Sequence, residues 1–174
     1  MQKIDYPFKL DGVIVKRNPP ILNLAMLIVA SVLLSSTLGG VTAVLLAEIM
    51  SPEKFGENAG RAIFATNSLV KIFLSAIIFT PPIETFLVQT IPIEVIRRIT
   101  VRTAPPILFS TALFSIGHYL NGGLMHGLIT LVTGAILSTL YLTLRKHGAL
   151  ISSLSVIVAH SLHNLIILIF VYTF

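Results

Sequence analysis

Glu84, His118, His160 and Asn164 are side chains that can activate and polarise water, and each lies inside a long apolar stretch. An ionisable group in hydrocarbon is costly unless it is paired or faces a protein-lined cavity. Four such groups in three apolar stretches are explained more economically by one shared polar site than by four separate accidents. A desolvated Glu84 carboxylate could take a proton from water, and His118 could share or orient that water. His160 and Asn164 could donate hydrogen bonds to an oxyanion as a carbonyl becomes tetrahedral, a contribution of about 3–4 kcal/mol to the transition state. The same groups also suit a divalent metal such as zinc, with Glu84, His118 and His160 as ligands and water in an open position. His160 and Asn164 are spaced i, i+4 and share a helix face, as do Phe114 and His118.

Other hydrolytic chemistries are excluded by residue type. The two aspartates, Asp5 and Asp11, lie outside the apolar stretches, which rules out a paired-aspartate mechanism. Cysteine is absent, and neither an HExxH sequence nor a GxS sequence occurs, which argues against a thiolate, a zincin-like site and a serine elbow.

The elements that must position these residues are membrane spans. The chain of 174 residues is 55% hydrophobic and 11% charged, where a soluble domain carries about 25% charged residues. Its length accommodates about five spans of ~20 residues. The expected fold is all-α, a single polytopic transmembrane bundle over residues 21–174, preceded by a polar segment over 1–20 and with no soluble domain attached. The first apolar run, from Ile21 to about Ala47, is too long for a signal-peptide core and is read as a retained span. Its small residues Ser35, Ser36, Gly39 and Gly40 would admit a close neighbour. A polar loop over 48–61 follows. Span two begins near Ile63 and meets Pro81-Pro82, which should kink it and open backbone groups beside Glu84. Span three covers about Pro105 to Leu120, span four Leu124 to Leu144, and span five Ala149 to Phe174. Gly123 and Gly127 form a GxxxG pair suited to close helix packing.

The basic residues sort by side. Lys3, Lys9, Lys16, Arg17, Arg97, Arg98, Arg102, Arg145 and Lys146 fall on one face, whereas Lys54 and Arg61 fall on the other. The imbalance predicts a cytoplasmic N-terminus, an external C-terminus and an odd number of spans, in the plasma membrane. Because the basic residues lie at span ends and form no stripe, they read as anchors to the lipid bilayer and carry no nucleic-acid signal. They also serve as a depth ruler. Glu84 lies 13 residues from Arg97, His118 16 from Arg102 and His160 14 from Lys146, or ~20–24 Å of continuous helix. A common depth for the three is therefore expected. His163 reads as a residue facing a neighbouring helix or the cavity edge, His126 as an interfacial residue near the outer end of span four, and Lys71 as a snorkelling side chain.

At the same residues the sequence resembles the CAAX prenyl endopeptidase and bacteriocin-processing (CPBP) family of intramembrane proteases. That family has Glu-Glu-x-x-x-Arg, then Phe-x-x-x-His, then His-x-x-x-Asn or Asp. Here the second stands as Phe114-Ser-Ile-Gly-His118 and the third as His160-Ser-Leu-His-Asn164. The first stands as Glu84-Thr-Phe-Leu-Val-Gln89, and the likeness runs from about Phe79 to Leu168. It implies that Glu84 is the general base, that His118 helps activate water, and that His160 and Asn164 stabilise the oxyanion, acting on a membrane-embedded or prenylated peptide. Both metal-dependent and metal-free mechanisms are argued for the family; no cofactor is expected to be required. Thr85 and Gln89 replace a glutamate and an arginine, so a supporting salt bridge would survive only as a neutral hydrogen-bonded pair. Two alternatives keep the same residues: a catalytically silent relative acting in bacteriocin immunity or partner binding, and a proton-coupled carrier.

Overall fold

The computed structural model describes residues 21–50 and 68–173, which are helical almost throughout and contain no strand. The segment 1–20, the loop over 51–61, the expected start of span two at Ile63, and Phe174 lie outside the described residues. Helix α1 is Ile21–Ile49 and helix α2 is Leu69–Arg97. Next comes one helical stretch of 41 residues, Ala104–Leu144, and last α5, Ala149–Thr173.

The long stretch is a hairpin. A straight helix of that length would reach ~60 Å, twice the ~30 Å hydrocarbon core. Instead the Ser110 and Ser138 hydroxyls lie 2.9 Å apart, and Ser115 Oγ donates to the Gly127 carbonyl at 2.7 Å. Both pairs are centred near Gly123, whose φ of 80° and ψ of −177° break the helix. That conformation is open to glycine and almost nothing else. The stretch is thus two antiparallel helices, α3 (104–122) and α4 (124–144), and the apolar rods number about five.

The expected packing role of the Gly123–Gly127 pair is corrected. Gly123 makes the turn, and Gly127 and Gly134 do the packing. A Cβ on Gly127 would lie 2.8 Å from Tyr119 Cβ, and one on Gly134 would lie 3.1 Å from Phe114 Cδ1. A second tight turn closes α4 onto α5 through Arg145–His147 and Gly148, at φ 113°.

Helix α2 continues through Pro81-Pro82, with a wide π turn on each side, Leu74–Phe79 and Thr85–Thr90. Such turns absorb lost backbone hydrogen bonds and recur at functional sites. Thr90 pairs with Ser153 at 2.9 Å and Ser110 Oγ donates to the Val88 carbonyl at 2.9 Å, so α3 and α5 both run antiparallel to α2. Helix α1 buries only a narrow stripe, Val32, Ser35 and Gly39, and Gly39 sits against Ile129 and Thr133 of α4. The large apolar side chains on the outer faces, such as Leu33, Phe86, Leu87 and Leu154, are exposed, as lipid contact requires.

One apolar cluster packs the half of the bundle nearer Arg97 and Arg145: Val32, Ile93, Leu137, Leu140, Tyr141, Leu144, Val156 and Ala159. Beside it, Arg145 grips Glu94 through Nε at 2.6 Å and a second nitrogen at 3.0 Å. Tyr141 also donates to Glu94, at 3.0 Å, and Arg97 at 3.2 Å. Arg145 therefore does more than anchor the topology: it ties α2 to the α4–α5 turn, while Arg97 braces Glu94 within α2 itself.

Candidate active site

Glu84, His118 and His160 come together from α2, α3 and α5. Glu84 Oε2 lies 3.6 Å from His160 Nε2 and 3.9 Å from His118 Nε2. Both separations exceed a direct hydrogen bond, and this buried oxygen has no hydrogen-bond partner among the described residues. The three atoms thus converge without bonding one another, and an unsatisfied carboxylate oxygen is left between two imidazole nitrogens.

The tautomers follow from the neighbours. His118 Nδ1 lies 2.8 Å from the Phe114 carbonyl. A carbonyl only accepts, so Nδ1 carries the proton and Nε2 of the neutral ring is an acceptor. Two acceptors, His118 Nε2 and a Glu84 carboxylate oxygen, then face each other with no hydrogen between them, a pairing that a molecule with two hydrogens to donate would satisfy. His160 Nδ1 is buried without a partner. A lone pair left unpaired is tolerated better than an N–H, so the His160 proton belongs on Nε2, on the side that faces Glu84.

Phe114 positions both imidazoles. Its ring lies 4.3 Å from that of His118 and 5.4 Å, edge-on, from that of His160. Its own place depends on Gly134, which leaves room where a side chain would intrude.

Asn164 lines the same cavity, and its amide donates to the Ala76 carbonyl at 2.9 Å. One of its two amide hydrogens is thus committed to α2 and the other is available. The cavity occupies about 790 Å3 between α1 and helices α3, α4 and α5. Ser36, Gly39, Gly40 and Val44 line one wall, and His118, His126, His160 and His163 another. Glu84 does not line it; the two imidazoles stand between the cavity and the carboxylate.

Two histidines outside the expected set adjoin the site. His163 faces α1, as its reading from sequence had it. Ser35 Oγ donates to the Val32 carbonyl, so its oxygen accepts from His163 Nδ1 at 3.0 Å, and Ser36 Oγ lies 3.1 Å from the same nitrogen. His126 departs from the interfacial reading. Its ring packs edge-on against His118 at 4.9 Å, and Nδ1 is buried without a partner among the described residues. The Gly122-Gly123 turn was the available signal: reversal there brings residue 126 opposite residue 118.

Thr85 and Gln89 are fully buried, yet Thr85 Oγ1 and both polar atoms of Gln89 lack hydrogen-bond partners among the described residues. The neutral hydrogen-bonded pair expected from sequence does not form. Among the described residues no three His, Asp or Glu side chains stand in the arrangement a metal ion needs.

A bundle of helices long and apolar enough to span a membrane, with a carboxylate and two imidazoles meeting between them, is the architecture of an intramembrane protein with a buried polar site. Residues 66–171 match the family model of the type II CAAX prenyl endopeptidases, Rce1-like. That is more than half of the chain, and the chain belongs to this family. No curated protein and no solved structure matches it.

Proposed function

We propose that the protein is an intramembrane endopeptidase that hydrolyses a peptide bond with water and forms no covalent intermediate. The observation that carries this reading is the convergence on the unpartnered Glu84 Oε2 of His160 Nε2 at 3.6 Å and His118 Nε2 at 3.9 Å. A water admitted between them donates to Glu84 and to His118. As its oxygen adds to the scissile carbonyl carbon, one of its protons passes to Glu84. The carbonyl oxygen becomes an oxyanion that accepts from His160 Nε2–H and from the uncommitted amide hydrogen of Asn164. Collapse of the tetrahedral species breaks the C–N bond, and the proton held by Glu84 goes to the departing amine.

The apolar cavity beside the imidazoles suits a membrane-embedded or prenylated peptide arriving laterally from the bilayer. The charge distribution supports a cytoplasmic N-terminus in the plasma membrane, which puts the Arg97 and Arg145 end of the bundle on the cytoplasmic side. The test uses purified protein in liposomes and a fluorogenic peptide ending in a farnesylated cysteine motif. Glu84→Gln and His160→Ala should each abolish cleavage that the native protein performs, and a chelator should not. Undiminished cleavage by both variants would remove this mechanism.

A second reading, a non-cleaving relative that binds a membrane partner, is favoured by one observation: the unpaired polar atoms of Thr85 and Gln89 directly after the base. It requires that the native protein cleave no peptide while Glu84→Gln retains its biological function.

A further inference from the structure

The prolines before Glu84 leave a specific debt in the backbone of α2. The Thr80 N–H bonds the Ser75 carbonyl, five residues back. In that register the next two acceptors are Ala76 and Ile77, and the residues that should donate to them are Pro81 and Pro82, which have no N–H. In a membrane no water replaces them, and each orphaned carbonyl must be satisfied by protein. Both are. Asn164 Nδ2 donates to the Ala76 carbonyl at 2.9 Å, and Ser161 Oγ donates to the Ile77 carbonyl at 2.8 Å.

We propose that Ser161 and Asn164 form a clamp that replaces the two missing proline donors and thereby sets the height of Glu84 against His160. Ser161 is thus a positioning residue for the reaction. Three neighbouring residues of α5 meet α2 at successive levels: Asn164 at Ala76, Ser161 at Ile77 and His160 at Glu84. The first two are hydrogen bonds, and they fix the register of the third contact, which is not one. Asn164 holds the backbone with one amide hydrogen and keeps the other for the cavity, so its two duties do not compete. The pairing also explains how a double proline can sit in mid-span without breaking the helix: its cost is met by side chains of the helix that carries the site.

The clamp itself stands on the backbone register, and its consequence for turnover rests on the reading of Glu84 as the base. The test is a double-mutant cycle. Ser161→Ala should lower kcat by roughly tenfold with KM unchanged, because it shifts the base relative to the substrate and removes no substrate contact. Ser161→Thr, which keeps the hydroxyl, should restore most of the rate. Pro82→Ala returns an N–H to the Ile77 carbonyl, so in that background Ser161→Ala should cost less than about twofold. The same cycle is read in unfolding midpoints in detergent. Equal losses in both backgrounds, by rate and by midpoint, would overturn the clamp. Were the native protein to cleave no peptide, the protease reading would fall, and the unfolding cycle would still decide the clamp.

Discussion

Gly134→Ala isolates the positioning of the two imidazoles from their chemistry, because it touches neither. The new Cβ would lie 3.1 Å from Phe114 Cδ1, 3.3 Å from its Cβ and 3.4 Å from its Cγ. Comfortable carbon contacts begin at about 3.5 Å, so Phe114 must retreat by about 0.4 Å. Two of the three crowded atoms are the root of the side chain, so a ring rotation does not relieve them. Overpacking of this kind costs about 1–3 kcal/mol, while replacing a mid-helix glycine by alanine recovers about 0.8–1.0 kcal/mol. Net destabilisation is therefore about 0–2 kcal/mol, and the protein still folds. The ring of Phe114 touches both His118 and His160, so its displacement reaches both. A misplacement of about 1 Å can cost 10²-fold in rate; in proportion, 0.4 Å predicts a loss on the order of five- to tenfold. The assay pairs the cleavage rate in liposomes with the unfolding midpoint in detergent. Native turnover in a folded Gly134→Ala protein would refute the claim that Phe114 transmits position to the histidines.

Three other outcomes follow from the same geometry. Thr85→Val should raise stability by about 0.5–1.5 kcal/mol, since it replaces a buried hydroxyl with no partner by a group of equal shape; a fall of more than 1 kcal/mol in detergent unfolding would mean that the hydroxyl is satisfied. Arg145→Ala removes both bonds to Glu94 and should cost about 1–3 kcal/mol, seen as a lower unfolding midpoint, with Arg145→Lys recovering little because one ammonium cannot reproduce the fork. Gly123→Ala forces an L-residue into a glycine-only conformation at the α3–α4 turn and should cost about 1–3 kcal/mol, whereas Gly40→Ala, inside α1 with open space around it, should raise the midpoint slightly by recovering about 0.8–1.0 kcal/mol.

Much of the fold is legible in the chain because a bilayer is a severe solvent. Hydrocarbon admits only self-satisfied backbones, so apolar runs of sufficient length become helices. The span limits expected for α1, α3, α4 and α5 therefore lie within about three residues of those found. The same severity makes Glu84, His118 and His160 conspicuous, and the distance of each from a basic span end places them at one level before any packing is known. Helix periodicity ties Asn164 to His160 and Phe114 to His118.

Direction and partnership were beyond the sequence. Gly123 and Gly127 have one spacing and two uses, since a glycine that turns the chain and a glycine that admits a neighbour look alike until the hairpin closes. His126 became a neighbour of His118 only through that reversal. Arg145 reads as an anchor by position, and only the packing of α2 against the α4–α5 turn supplied Glu94. Most of all, composition told that Pro81-Pro82 would cost α2 two hydrogen bonds, but not which side chains would make them good. Ser161 and Asn164 lie some eighty residues away along the chain. A local sequence determines what a backbone lacks; only the tertiary fold decides who supplies it, because the donor is chosen by proximity in space.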